Sequence, residues 1–237
     1  MRFHCASRTD VGLKRKINED SVFADADRGL WAVADGMGGH EAGEVASATV
    51  IEALRNLPPV ENLDELASAA KDALAGANRQ LIDLARSSAS QQTIGTTVVG
   101  LAIANGDFRC FWMGDSRAYR FRDGYLSRVS RDHSLVQKLI DAGMLSPEDA
   151  EKHENANVVT RAVGVSEEVD VDIVSGDAVP GDQFLLASDG LTRVVEDDEI
   201  AAELLRSPPD AAADNLIELV LSRGAPDNVS IVIVKLL

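Results

Sequence analysis

Apolar positions along the chain recur with two periods, and the switches between them mark the elements. Short apolar runs at residues 2–7, 21–24, 30–34, 96–104, 108–113, 117–121, 125–129, 182–188 and 229–236 read as strands. Asn105-Gly106 and Arg122-Asp123-Gly124 join two neighbouring pairs as hairpins. Helical spacing runs instead through Ala42, Val45, Ala46, Thr49, Val50, Ala53, Leu54 and Leu57, and Pro58-Pro59 stops it. A second helix carries Leu63, Leu66, Ala67, Ala70, Leu74, Ala77, Leu81 and Leu84 on one face, before a polar loop at 87–92. Two more helices are expected near 196–205 and from Ser207-Pro208-Pro209 to about Gly224. Segment 134–158 has few large apolar residues; Leu135, Leu139 and Ile140 suggest one short helix and Ser146-Pro147-Glu148 the start of another. It reads either as a mobile flap or as an ordinary helical insertion. Consecutive hairpins argue for antiparallel sheet and against a Rossmann-type parallel fold. The pattern predicts an α+β fold, one domain over 1–237, with antiparallel sheets covered by amphipathic helices.

Composition narrows the partners. The 237 residues are 45% hydrophobic and carry a formal charge of −16. That is enough apolar material for one large core. The negative charge repels the phosphates of nucleic acid and of anionic membranes, so neither is an expected partner. Cys5 and Cys110 lie far apart in apolar runs and read as two buried free thiols, which fits a reducing compartment. The first twenty residues hold Arg2, Arg8, Asp10, Lys14, Arg15 and Lys16 and no apolar core of a signal peptide. No run approaches the ~18 apolar residues of a membrane span. A cytoplasmic monomer is the expectation.

Candidate chemistry gathers on acids at strand ends. The apolar run 30–34 delivers Asp35 into a turn with glycines at 36, 38 and 39. A carboxylate and a free carbonyl on such a turn form a hard oxygen site suited to Mg²⁺ or Mn²⁺; the simpler reading is a glycine turn with Asp35 capping the next helix. Asp20, Asp115, Asp189 and Asp227 share the same setting, each in or beside a turn at the edge of an apolar strand. If these edges converge, the acids repel one another unless cations neutralise them, and two divalent metals would do so. No Cys/His spacing suggests zinc. Water shared between two such ions ionises near neutral pH and attacks phosphorus in line. The loop from Gly12 to Ser21 is either an exposed charged turn or a place where Arg15 forks onto a phosphate while Glu19 and Asp20 face a metal.

At these residues the chain resembles the metal-dependent serine/threonine protein phosphatases of type 2C, the PPM family, in their bacterial form. The matching stretches are Arg15-x-x-Asn18-Glu19-Asp20, Ala34-Asp35-Gly36-Met37-Gly38-Gly39-His40, Gly95-Thr96-Thr97, Gly114-Asp115-Ser116-Arg117, Asp132-His133-Ser134, Ser188-Asp189-Gly190-Leu191 and Asp227-Asn228, in the family's order. The resemblance implies two stacked antiparallel β-sheets flanked by helices, an α-β-β-α sandwich with a small helical flap at about 134–158. It implies hydrolysis of phosphoserine and phosphothreonine on proteins by a metal-bridging hydroxide, in opposition to a serine/threonine kinase. Asp35 would bridge the two Mn²⁺ or Mg²⁺ ions, and the Gly36 carbonyl would bind one of them. Asp189 and Asp227 would ligate the other, Glu19 and Asp20 would act mainly through water, and Arg15 would clamp the phosphate. Asp115 would belong to a weaker third metal site.

Two positions depart from the family. Arg193 stands where an aspartate often helps hold the third ion, so that ion is expected to be weakened or lost. Met37 stands where some relatives carry a histidine proposed as general acid; the nearest is His40, a candidate for that role or for helix capping and packing. His133 is expected to be structural. The competing readings are a pseudophosphatase that binds phosphoproteins without turnover, against which the intact acid set argues, and a hydrolase of a small phosphorylated metabolite.

Overall fold

The computed structural model describes residues 1–38, 42–87, 93–150 and 153–237. Strand β1 (Phe3–Asp10) is followed by the hairpin β2 (Asp20–Asp25) and β3 (Leu30–Met37), then by helices α1 (Ala42–Arg55) and α2 (Leu63–Ser87). Next come β4 (Gly95–Thr96), β5 (Val98–Ala104), β6 (Asp107–Met113), β7 (Arg117–Arg122) and β8 (Tyr125–Arg128). Short helices α3 (Leu135–Asp141) and α4 (Pro147–Ala150) precede β9 (Asp172–Asp177), β10 (Gln183–Ala187), α5 (Asp189–Thr192), α6 (Asp197–Arg206), α7 (Pro209–Ser222) and β11 (Val229–Leu236). Antiparallel pairing gives a five-stranded sheet ordered β1-β11-β10-β7-β8 and a six-stranded one containing β2-β3-β5-β6-β9, with β4 on β3.

The alternation of side chains across each strand sorts the apolar residues into three layers. On β3, Leu30, Ala32 and Ala34 pack under α1 and α2 with Val50, Leu54, Leu74 and Leu81. Trp31 and Val33 point the other way, into the gap between the sheets, where they join Leu101, Phe184, Val232 and Val234. On β11, Ile231 and Ile233 face α6 and α7 and pack with Ile200, Leu204, Leu216 and Val220. Both faces of both central regions are buried, which is the α-β-β-α sandwich expected from the family resemblance.

The structure departs from the sequence reading in four places. The first strand runs on to Asp10, paired with Val229 of β11. The single strand expected over 96–104 breaks at Thr97: its amide still donates to the Asp35 carbonyl at 2.8 Å, but the Asp35 amide turns to Thr97 Oγ1 at 3.2 Å. Strand β9 was not expected: it is a sheet edge held by β6 alone, and its Ile173 and Val174 are exposed, so it lacks the half-buried alternation that marks a strand. Cys110 is buried, but Cys5 on the outer strand β1 is only half-buried. Helix α3 buries no residue and α4 buries only Ala150. Residues 88–92 of the expected polar loop and 151–152 of the flap lie outside the described residues. No described helix is long and apolar enough to cross a membrane.

Leu185 is fully buried on β10, between β11 and β7. Leu185→Ala should destabilise the chain by about 2–5 kcal/mol, read as a lower urea midpoint at unchanged slope.

Candidate active site

The strand period that sends Trp31 and Val33 into the inter-sheet gap continues to Asp35, where the gap reaches the rim of the sandwich. Asp20 is its register partner on β2, so two carboxylates stand opposite each other across one strand pair. The other sheet contributes Asp189, the first residue of α5 beyond β10, and Asp227, two residues before β11. Asp115 comes from the turn between β6 and β7. Arg15, Glu19, Asp35, Gly36, Asp115, Asp189 and Asp227 line one cleft of about 270 Å³, with Asp20 immediately beneath against Ser188. Every sequence-predicted site residue thus converges on one rim, except that His40 lies outside the described residues.

Close backbone contacts fix this rim. The Gly36 amide donates to the Glu19 carbonyl at 3.0 Å. A Cβ at Gly36 would strike the Gly43 carbonyl and stand 2.6 Å from that of Glu19, so only glycine fits. Thr96 Oγ1 donates to the Asp35 carbonyl at 2.9 Å. Buried Asn228 ties the β1–β2 loop to the loop before β11: its Nδ2 donates to the carbonyls of Val11 (2.9 Å) and Ile17 (3.0 Å), and its Oδ1 accepts the Glu19 amide at 2.8 Å. Ser188 Oγ donates to Asp20 Oδ2 at 2.8 Å and accepts the Ser230 amide at 3.0 Å. Asn228 and Ser188 were visible in the sequence only as neighbours of acids. Their task, satisfying polar groups between sheets, has no one-dimensional signal.

Electrostatics make the rim costly. The Asp35 carboxyl lies within hydrogen-bonding reach of both Asp20 and Asp189. Asp35 keeps some solvent access, yet the protein packed around it and then repulsion from Asp20, Asp189, Asp115 and Asp227 hold its carboxyl well above the usual range. Burial pushes Asp20 up to about 6 against the pull of Ser230 and Ser188, and burial with repulsion from Asp189 pushes Asp115 up to about 6. Burial likewise raises Asp189 and Glu19. One oxygen of Asp20, Oδ1, is buried with no hydrogen-bond partner among the described residues.

Two arginines are interleaved with these acids. Arg15 forks onto Asp227 through Nε at 2.8 Å and a terminal nitrogen at 2.7 Å. Arg193 meets Asp189 at 2.9 Å and Asp115 at 3.1 Å through one terminal nitrogen and donates to Asn157 through the other. Among the described residues, no group of three His, Cys, Asp or Glu already encloses a cation position. His133 is structural: its Nδ1 accepts the Gly114 amide at 3.1 Å, its Nε2 faces Asp172 at 3.3 Å, and Trp112 stacks on its ring.

Known proteins with this arrangement support the same assignment. Residues 14–229 match the Protein phosphatase 2C family. The serine/threonine protein phosphatase PstP of Mycobacterium tuberculosis is 40% identical over 229 residues, 96% of this chain but 44% of its own length, so the chain spans less than half of that relative. The solved structure of PppA from Pseudomonas aeruginosa is 40% identical and superposes with a TM-score of 0.91 over 99% of this chain and 98% of that one. The crystal structure of the catalytic domain of PstP in complex with two manganese ions is 37% identical with a TM-score of 0.88, covering 98% of this chain and 97% of that one. The sandwich, the ordered motifs and the convergent carboxylates therefore have one common explanation: the chain belongs to the protein phosphatase 2C family.

Proposed function

We propose that this chain is a Mn²⁺- or Mg²⁺-dependent phosphatase that hydrolyses phosphoserine and phosphothreonine on proteins, and that residues 1–237 act as one catalytic unit. The observation that carries the reading is Asp35, flanked by Asp20 and Asp189, with Asp20 Oδ1 buried and unpartnered among the described residues. Carboxyls so placed need either shared protons or cations between them. The donors are all hard oxygens, which fits Mn²⁺ or Mg²⁺. Asp35 would serve both ions; the Gly36 carbonyl would help hold one of them, and Asp189 and Asp227 the other. Glu19 and Asp20 would hold metal-bound water. Such ions supply Lewis acidity and a water acidified toward neutral pH.

The chain's own residues do the rest. Arg15 sits exposed at the mouth of the cleft, and its guanidinium, held charged chiefly by Asp227, is the group to receive the non-bridging oxygens of the phosphate. The rigid β2–β3 ladder holds Asp20 and Asp35 in register, so little ordering is left for the moment of reaction. His40, which lies outside the described residues, is the candidate kept to protonate the leaving alkoxide. Phosphoserine and phosphothreonine arise by kinase action, so a serine/threonine kinase is the opposing partner of the reaction. The retained set Asp20, Asp35, Asp189 and Asp227 favours turnover over a binding-only pseudophosphatase.

EDTA should abolish hydrolysis of a phosphothreonine peptide and Mn²⁺ should restore it. Asp35→Asn should lower kcat by at least about 10²-fold; near-parental turnover in steady-state assays would remove Asp35 from the centre. Arg15→Ala should raise KM about tenfold with a smaller effect on kcat, because a bidentate phosphate contact is lost.

Stability without metal should run the opposite way. A carboxyl raised in the folded state favours folding at pH values below its unfolded value near 3.9. That advantage is lost as pH rises through the folded value. In EDTA, Asp35→Asn should therefore melt a few degrees above the parent at pH 7, with the gap closing toward pH 4. Calorimetric scans across this range read the sign directly.

A further inference from the structure

Arg193 caps the one-turn helix α5, its amide donating to the Asp189 carbonyl at 2.9 Å. The cap places its side chain four positions after Asp189 on the same face. From there one terminal nitrogen lies 2.9 Å from Asp189 Oδ2 and 3.1 Å from Asp115 Oδ2, and the other donates to Asn157 Oδ1. A single guanidinium thereby joins the end of β10, the β6–β7 turn and the 134–158 segment. Asp115 is 8% exposed and Asp189 16%, so the charge between them is poorly replaced by water.

Position and anchoring give this contact its weight. Arg193 stands between the metal cleft of about 270 Å³ and a neighbouring cavity of about 330 Å³ that runs under Ser134, Val136, Ala150 and Ala156. Asp115, Asn157, Asp189 and Arg193 line both. Backbone bonds tie the two ends of the segment together, Leu135 to Val158 at 2.8 Å and Thr160 to His133 at 2.7 Å. Its helices bury almost nothing. The bond to Asn157 joins this weakly packed element to the acids.

Resting on the two-ion reading above, we propose that Arg193 is a tethered cation. It supplies from the chain the positive charge that a third divalent ion would bring beside Asp115 and Asp189, and it pins the 134–158 segment over the metal rim through Asn157. A guanidinium is permanently charged, presents several donors in one plane and does not dissociate. Its occupancy is therefore independent of metal concentration. It is a positioning residue: it touches the carboxylates and the flap, and it does not acidify water.

The test uses the full chain stripped with EDTA, with Mn²⁺ alone as the probe. Isothermal titration should give two ions for the parent, Arg193→Lys and Asn157→Ala, and a third, weaker ion for Arg193→Asp. Hydrogen exchange of peptides within 134–158 should accelerate roughly tenfold in Arg193→Asp and Asn157→Ala, the loss of one charge-assisted hydrogen bond. Arg193→Lys keeps the charge without the fork, so it should exchange faster than the parent while still binding two ions. A stoichiometry of two in a folded Arg193→Asp overturns the tethered-cation role. Exchange unchanged in Asn157→Ala overturns the pin. A parent that does not bind two ions overturns the metal reading instead, and the exchange arm still decides the pin.

Discussion

Repulsion among carboxylates drawn from distant parts of the chain is the constraint to which the rest of this structure answers. Asp35 sits with Asp20, Asp115, Asp189 and Asp227 all close enough to raise its carboxyl. Left alone, such a group would relax apart or hold protons. It is kept together because each acid hangs on an element that cannot move independently: two on one hairpin, one at a helix start beyond β10, one before β11, one in a tight turn. The burial of three apolar layers offsets the local cost at the rim.

Polar staples hold that rim more tightly than strand pairing alone would. Asn228 bonds to three backbone positions of the β1–β2 loop, and Ser188 links Asp20 of one sheet to Ser230 of the other. The glycines act by absence. At Gly190 a Cβ would collide with the Asn228 carbonyl, so the turn carrying Asp189 closes onto the loop carrying Asp227 only because no side chain intervenes. Positions this tightly determined support chemistry that depends on ångström-scale placement.

The two arginines divide the work of countering negative charge in a chain whose formal balance is −16. Arg15 is exposed at the mouth of the cleft, and its fork onto Asp227 gives a short bidentate pair. Arg193, also exposed, stands between Asp115 and Asp189, where its charge relieves their crowding. The two side chains differ in which carboxylates stand beside them.

Much of this was legible in the chain itself. Hairpins at Asn105-Gly106 and Asp123-Gly124, the Pro58-Pro59 stop and the helical stripes are local matters, settled by turn chemistry and hydrophobic period. The acids after strands were legible as well, because an Asp-Gly turn at the end of an apolar run is a short-range pattern. Tertiary structure decided what local pattern leaves open. The runs at 30–34 and 231–234 are apolar throughout, so sequence could not say that Trp31 and Val33 face one layer while Leu30 and Ala32 face another. Strand β9 had no sequence signal, because its pairing with β6 alone makes it a strand. The reach of Arg193 to Asn157 joins residues 36 apart through side chains, and the role of Asn228 spans more than 200 positions. Such contacts exist only when the sheets have stacked. Local propensity acts over a few residues, whereas a site made of like charges requires the whole core to hold it closed.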